Sequence, residues 1–268
     1  MPSRKKNGRR GIYLLPNLLT TVALFAGFYA IVAAIDGNFV AAGIAVYVAM
    51  FFDGVDGRVA RMTSTQTDFG KEYDSLSDMV SFGLAPAVVV YQWGVARLTE
   101  YNLTWGRVGW LVAFLYAVAG AMRLARFNSA PAGGGGRFFL GLPSPSAAGM
   151  VAAFVWLSST LELAGLPGLV FAFVVTAAAG LLMVSSFRYY SFKDINLRGR
   201  IPFGYLLIVP LVLMFVSLEP PLVLFLLFSG YALSGPIYWL LRRRSGRSGP
   251  RRKAADTTDD QDDATERS

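Results

Sequence analysis

The sequence predicts an all-α fold: a polytopic membrane bundle of about eight transmembrane helices, with both termini on the cytoplasmic side. Composition is the first reason, since 54% of the 268 residues are hydrophobic and the mean hydropathy is +0.46, as in integral membrane proteins. The second is a series of apolar runs near the roughly 20 residues that cross a bilayer. The third is that both ends of the chain are strongly basic, which the positive-inside rule places in the cytoplasm.

Eight apolar runs approach the spanning length, and the fifth and seventh of them are short. In chain order they are 14–35, 39–60, 74–94, 105–125, 146–161, 166–186, 202–217 and 220–241. With this arrangement, only Arg97 and Arg107 of the 25 Lys and Arg residues fall on the outer side. The net charge of +8 therefore reflects orientation and contact with anionic lipid headgroups, and no nucleic-acid partner is predicted.

Three segments are predicted along the chain. Residues 1–12 form a basic cytoplasmic arm, residues 13–241 the membrane domain, and residues 242–268 a disordered cytoplasmic tail. The tail is first basic and then acidic, and it has almost no apolar content to bury. Within the membrane domain, Pro86 is expected to kink the third span.

Local signals place several helix ends and loops. Pro16 is expected to open the first helix, because proline is tolerated in a first turn. Thr67 and Asp68 are candidate N-caps after the first cytoplasmic loop. Four consecutive glycines at 133–136 cannot hold a helix, so they indicate a mobile cytoplasmic loop. A second inner loop, 187–200, mixes basic and aromatic residues.

The sequence contains neither cysteine nor histidine. Disulfides, thiolate nucleophiles and cysteine-based metal sites are therefore excluded. The absence of histidine removes the commonest general base and the commonest transition-metal ligand. Any chemistry must use Asp, Glu, Lys, Arg, Tyr or hydroxyl groups.

Four aspartates lie at the ends of the second and third predicted spans: Asp53, Asp56, Asp74 and Asp78. Four unpaired aspartates inside a membrane would cost on the order of 10 kcal/mol, at roughly 2.5–3.5 kcal/mol each. At 100° per residue, Asp53 and Asp56 occupy adjoining stripes of one helix, while Asp74 and Asp78 share a stripe of the next. Two antiparallel helices can thus oppose two pairs of carboxylates. Ligand sets made only of oxygen suit Mg²⁺, Mn²⁺ or Ca²⁺.

Small residues and one arginine are interleaved with these acids. Gly57, Ala60 and Gly70 leave room where a bulky ligand or a neighbouring helix comes close. Arg61 adds a planar cation suited to phosphate. Metals held by carboxylates beside an arginine are suited to phosphoryl transfer. The alternatives from other classes are an ion-coupled transporter that uses intramembrane aspartates and a non-catalytic scaffold.

The spacing Asp53-x2-Asp56-Gly57-x2-Ala60-Arg61-x8-Gly70-x3-Asp74-x3-Asp78 resembles the signature of the CDP-alcohol phosphatidyltransferases. These membrane enzymes move a phosphatidyl or similar group from a CDP-linked donor to an alcohol. Further segments resemble the phosphatidylserine synthase branch of that family: Leu15–Thr20, Asp74–Pro86, Arg123–Asn128 and Gly141–Pro145.

This resemblance implies roles for the motif residues. The implied metal ligands are Asp53, Asp56, Asp74 and Asp78. The implied contacts to CDP-diacylglycerol are Gly57, Ala60, Arg61 and Gly70. Asp78 would also be the catalytic base for the hydroxyl of L-serine, which would attack the lipid-bearing phosphorus and release CMP, leaving phosphatidylserine.

The resemblance also implies cofactors, partners and location. The cofactor would be Mg²⁺ or Mn²⁺, with Ca²⁺ as an option at one site. The chain would form a homodimer among membrane lipids, in the cell membrane, with its active site facing the cytoplasm. Glycerol 3-phosphate or an inositol phosphate stays open as an alternative acceptor.

Two arginines close to one helix end have two interpretations. Arg123 and Arg126 lie three residues apart at the cytoplasmic end of the fourth span. They either anchor that end under the positive-inside rule or contact the serine carboxylate or a donor phosphate, which a guanidinium binds well.

Overall fold

The structure is a computed structural model, and it describes residues 10–63, 65–94, 103–129, 138–163, 165–190, 214–215 and 217–245. Most of this part of the chain is helical. The α-helices are α1 (Arg10–Ile35), α2 (Phe39–Met62), α3 (Asp68–Asp78), α4 (Ala85–Trp93), α5 (Leu103–Asn128), α6 (Ser144–Thr160), α7 (Leu166–Val184) and α8 (Pro220–Ser245). A π-helical segment, π1 (Met79–Leu84), joins α3 to α4. The strands are β1 (Phe138–Leu140) and β2 (Arg188–Tyr190).

Five helices in the described ranges are long and apolar enough to cross a membrane, which indicates a membrane protein. They are Leu14–Ile35, Phe39–Met62, Arg107–Asn128, Leu166–Val184 and Pro220–Arg243, and they match the first, second, fourth, sixth and eighth predicted spans. The third predicted span is the succession α3, π1 and α4, which begins with charged residues. The fifth is α6, with 17 residues. The seventh, 202–217, lies almost wholly outside the described residues, so the count of eight and the orientation of the termini stay predictions.

The two ends of the described chain differ from the predicted boundaries. Helix α1 begins at Arg10 and contains Pro16, so the prediction that Pro16 opens the helix is wrong. A proline this close to the start removes one backbone hydrogen bond without ending the helix. At the other end, α8 continues to Ser245, and the helix therefore includes the first residues of the predicted tail. The rest of the tail and the first nine residues lie outside the described part.

The turn between α2 and α3 follows the predicted capping. The Thr67 hydroxyl accepts a hydrogen bond from the Gly70 backbone N–H at 3.0 Å, as an N-cap does. The cap fixes where α3 begins and hence which of its residues face α2.

A two-stranded antiparallel sheet supplements the helices and was not predicted. Strands β1 and β2 pair Phe139 with Tyr189, and they come from two segments that the sequence indicated as cytoplasmic loops. Tyr189 is fully buried, and its hydroxyl donates to the Ala232 carbonyl at 2.9 Å. The sheet thus ties the chain on both sides of α6 and α7 to α8.

Small residues dominate the core. Helices α1 and α2 form an antiparallel hairpin, and α6 packs against α2, α4, α7 and α8. Helix α6 has more buried residues than any other described helix, and its side chains without exposed surface include Ala147, Ala148, Val151, Ala152, Ala153 and Val155. The close-packed centre leaves the polar ends of α1, α2 and α3 to form a separate site.

Candidate active site

The hairpin of α2 and α3 brings the four predicted aspartates together. One carboxylate oxygen from each of Asp53, Asp56 and Asp74 lies within 4.8 Å of the other two. The carboxyl groups of Asp53 and Asp78 lie close enough to interact directly. Oxygens that share one divalent cation lie up to roughly 4–5 Å apart, because each is about 2.0–2.6 Å from the ion. The cluster therefore fits a hard divalent cation in both chemistry and spacing.

Asp56 is the most buried of the four, with 3% of its surface exposed. The hydroxyl of Thr20, on α1, donates to its Oδ2 at 2.6 Å. Ser77, on α3, donates in turn to the Thr20 backbone carbonyl at 3.3 Å. A buried carboxylate needs such a partner, so Thr20 belongs to the site. Sequence reasoning missed this role; the only available signal was a hydroxyl residue one turn beyond Pro16 in an apolar helix.

A cavity of about 550 Å³ opens beside the aspartates, between α1, α2 and α3. This volume lies in the range of small-molecule sites. Six predicted site residues line it: Asp56, Gly57, Ala60, Arg61, Gly70 and Asp74. Its wall also includes polar residues that were not predicted, among them Asn17, Gln66 and Lys71. The cavity thus combines carboxylates with two cationic side chains, Arg61 and Lys71.

The two glycines of the motif have different neighbours. A Cβ at Gly70 would lie 3.0 Å from Thr67 Oγ1 and 3.2 Å from Asn17 Oδ1, so Gly70 allows the N-cap and α1 to approach. A Cβ at Gly57 would meet only Arg61 within 4 Å, at 3.6 Å from Nη1. The room predicted at Gly70 is therefore taken partly by the protein, whereas the room at Gly57 faces the cavity.

The two arginines of α5 are also placed differently. Arg123 is half-buried, donates from Nη1 to Ser144 Oγ at 2.7 Å, and interacts electrostatically with Asp78. Its Nε is buried and has no hydrogen-bond partner within the described ranges. Arg126 is exposed. The structure thus brings Arg123 to the aspartates and leaves Arg126 at the surface.

Asn128 joins the end of α5 to α3. Its Nδ2 donates to Ser75 Oγ at 2.9 Å. This bond holds α5 alongside the helix that carries Asp74 and Asp78.

An apolar helical bundle with four convergent aspartates beside a polar cavity defines a membrane protein with a candidate metal-dependent active site. Comparison with known families makes this class specific. Residues 13–184 match the model of the CDP-alcohol phosphatidyltransferase family, and the chain belongs to that family. Since this is a family of enzymes that use divalent metals, membership favours a transferase over the transporter and scaffold alternatives.

Curated relatives include proteins with a named acceptor. The chain is 37% identical over 232 residues to a CDP-diacylglycerol–serine O-phosphatidyltransferase of Helicobacter pylori, covering 85% of this chain and 92% of the relative. It is 40% identical over 151 residues to the Mycobacterium tuberculosis protein of the same name, covering 54% and 50%. It is 38% identical over 177 residues to an archaetidylserine synthase of Methanothermobacter thermautotrophicus, covering 65% and 69%.

Proposed function

We propose that this chain transfers the phosphatidyl group of CDP-diacylglycerol to the hydroxyl of L-serine, giving phosphatidylserine and CMP. The observation that carries the proposal is the convergence of four aspartates beside a cavity that also holds Arg61 and Lys71. The names of the Helicobacter pylori and Mycobacterium tuberculosis relatives support the donor and the serine acceptor.

The aspartates would hold divalent cations. Asp53, Asp56 and Asp74 would bind a pair of ions, and Asp78 would complete the shell of the second. Ligands made only of carboxylate oxygen favour Mg²⁺ or Mn²⁺, with Ca²⁺ at one site. Bound cations would supply charge neutralisation of the diphosphate in the displacement.

The cavity would receive the nucleotide end of CDP-diacylglycerol. Gly57 and Ala60 leave space on the α2 wall, where the cytidine would lie. Arg61 and Lys71 would pair with the phosphates, because a guanidinium and an ammonium both donate to phosphate oxygens. Gly70 would contribute less to this space than Gly57, since Thr67 and Asn17 already approach it.

Asp78 would accept the proton of the serine hydroxyl. The hydroxyl oxygen would form a bond to the phosphorus that carries diacylglycerol, while the bond from that phosphorus to the bridging oxygen breaks and CMP leaves with this oxygen. Arg123 would bind the serine carboxylate, because it lies beside Asp78 and its Nε has no partner among the described residues. Such a contact would place the amino acid next to its base.

The setting of this reaction would be the cell membrane, with the active site facing the cytoplasm and the chain forming a homodimer among membrane lipids. The bias of Lys and Arg toward the predicted inner side supports the orientation.

The decisive experiment measures CMP release by purified protein in detergent with CDP-diacylglycerol and Mn²⁺ or Mg²⁺. Serine, glycerol 3-phosphate and inositol phosphate are supplied separately, and a reaction without acceptor is the control. CMP release that depends on serine is expected. Release that depends on another acceptor would replace serine and keep the chemistry, whereas no release with any of them would contradict the transferase proposal.

A further inference from the structure

The segment directly after Asp78 has unusual helical geometry. Residues Met79–Leu84 are π-helical, and the Ala85 N–H bonds to the Val80 carbonyl, five residues earlier. Short π-helical turns are frequently found at functional sites. One extra residue in a turn rotates the next stretch of helix by about 100°. Segment π1 therefore rotates the face of α3 that carries Asp78 relative to α4. Helix α4 can then bury Val89 and Val90 in the core while Asp78 faces the site.

The carbonyl of Phe82 in π1 obtains its partner from another helix. In a regular α-helix it would accept from residue 86, but Pro86 has no N–H. The Tyr116 hydroxyl, from α5, donates to this carbonyl at 3.1 Å. Phe82 and Tyr116 both have no exposed surface. Since a buried carbonyl without a donor is unfavourable, the bond from Tyr116 stabilises π1 in this conformation.

Close backbone contacts hold π1 from two sides. A Cβ on Gly120 of α5 would lie 3.3 Å from Gly83 Cα, and a Cβ on Gly27 of α1 would lie 2.7 Å from Ser81 Cα. The Ser81 hydroxyl also donates to the Ala23 carbonyl of α1 at 3.2 Å. The wider turn is thus fitted between α1 and α5.

We propose that Tyr116 is a positioning residue for the transfer reaction. Its hydroxyl holds π1, and π1 holds Asp78 in the direction of Asp53 and Arg123. Tyr116 and Arg123 lie seven residues apart on α5, so one face of this helix contacts both Asp78 and the segment behind it. The inference rests on the proposed function, because it takes Asp78 as the base.

The test compares Tyr116→Phe with Tyr47→Phe. Tyr47 is a matched control, because its hydroxyl also joins two helices, donating to the Gly149 carbonyl at 2.6 Å, and it has no place in the site. Both substitutions remove one such bond, so both should lower the thermal unfolding midpoint. Only Tyr116→Phe should lower kcat for CMP release, by about 10-fold, because a small misplacement of a reacting group is costly. Its KM for CDP-diacylglycerol should stay at the wild-type value.

A second variant, Gly120→Ala, keeps the hydrogen bond but presses a methyl group against Gly83. It should show the same fall in kcat with unchanged KM, and it decides the question if Tyr116→Phe does not fold. Wild-type kcat in the folded variants, or a higher KM with unchanged kcat, would overturn the positioning role.

Asp78→Asn separates the two proposals. If Asp78→Asn is inactive while Tyr116→Phe and Gly120→Ala turn over normally, only the positioning role fails. If Asp78→Asn turns over normally, the base assignment fails, and the positioning role fails with it.

Discussion

The two ends of α2 use small residues for opposite purposes. Near the start of the helix, Ala42, Val46 and Ala49 have no exposed surface, and a Cβ at Gly43 would lie 3.1 Å from Trp156 Cβ of α6. Near its end, a Cβ at Gly54 would have no neighbour within 4 Å. A glycine in the first region therefore permits helix packing, whereas the glycine next to Asp53 in the chain has open space beside it.

This contrast separates stability from activity along a single helix. Close packing of apolar side chains at the packing end determines where α2 lies in the bundle. At the site end, hydrogen bonds and charge determine the direction of the carboxylates. Changes to the polar and charged side chains at the site end should therefore alter turnover more than stability, and changes at the packing end should do the reverse.

The largest effect is expected for Asp78→Asn, because the Asp78 carboxyl lies beside Asp53 at the site end of α2. The substitution keeps the size of the side chain and removes the base, so turnover should fall by roughly 10²–10⁴-fold. CDP-diacylglycerol should still bind, and its binding is measured alongside CMP release. Asp36→Asn, in the exposed turn after α1, is the control and should leave turnover unchanged. Retained activity in Asp78→Asn would remove Asp78 from the role of base.

A smaller effect is expected for Arg123→Ala. Loss of a charge-assisted hydrogen bond to the acceptor carboxylate should raise the KM for serine by about 10- to 100-fold. The KM for CDP-diacylglycerol should change little. Arg126→Ala is the matched control on the same helix, and it should leave both constants near their wild-type values because Arg126 is exposed. Equal effects of the two substitutions would favour the membrane-anchoring interpretation of both arginines.

Helix geometry explains why the convergence of the aspartates was predictable. The spacing of Asp74 and Asp78 fixes a common stripe, and a short loop forces α3 back along α2. The cap at Thr67 was also readable, because a hydroxyl before a helical pattern is a local signal. The contributions of Thr20 and Tyr116 depend on how α1 and α5 cross this hairpin. The periodicity of one helix contains no information about the position and angle at which another helix crosses it.

The fold was predicted to a similar depth. Five predicted spans correspond to long apolar helices, because length and hydropathy are properties of the segment itself. The sheet was missed because strands of three residues are too short for an alternating pattern. Pro86 was expected to kink the third span. It lies in the first turn of α4, directly after π1. The donor that Pro86 lacks is supplied to the Phe82 carbonyl by Tyr116 of α5, which the sequence of the third span could not indicate.

The smallest effect directly tests the contrast between the ends of α2. Gly43→Ala should lower stability, since overpacking a core costs about 1–3 kcal/mol and the methyl group would lie 3.2 Å from the Ala152 carbonyl. Gly54→Ala should raise stability by roughly 0.5–1 kcal/mol, because alanine is the better helix former and nothing opposes the methyl group. Thermal unfolding in detergent measures both, and turnover per folded molecule should stay near the wild-type value. A loss of stability in Gly54→Ala would mean that a partner or the membrane occupies the space beside the site end, and the two ends of α2 would then both be packing surfaces.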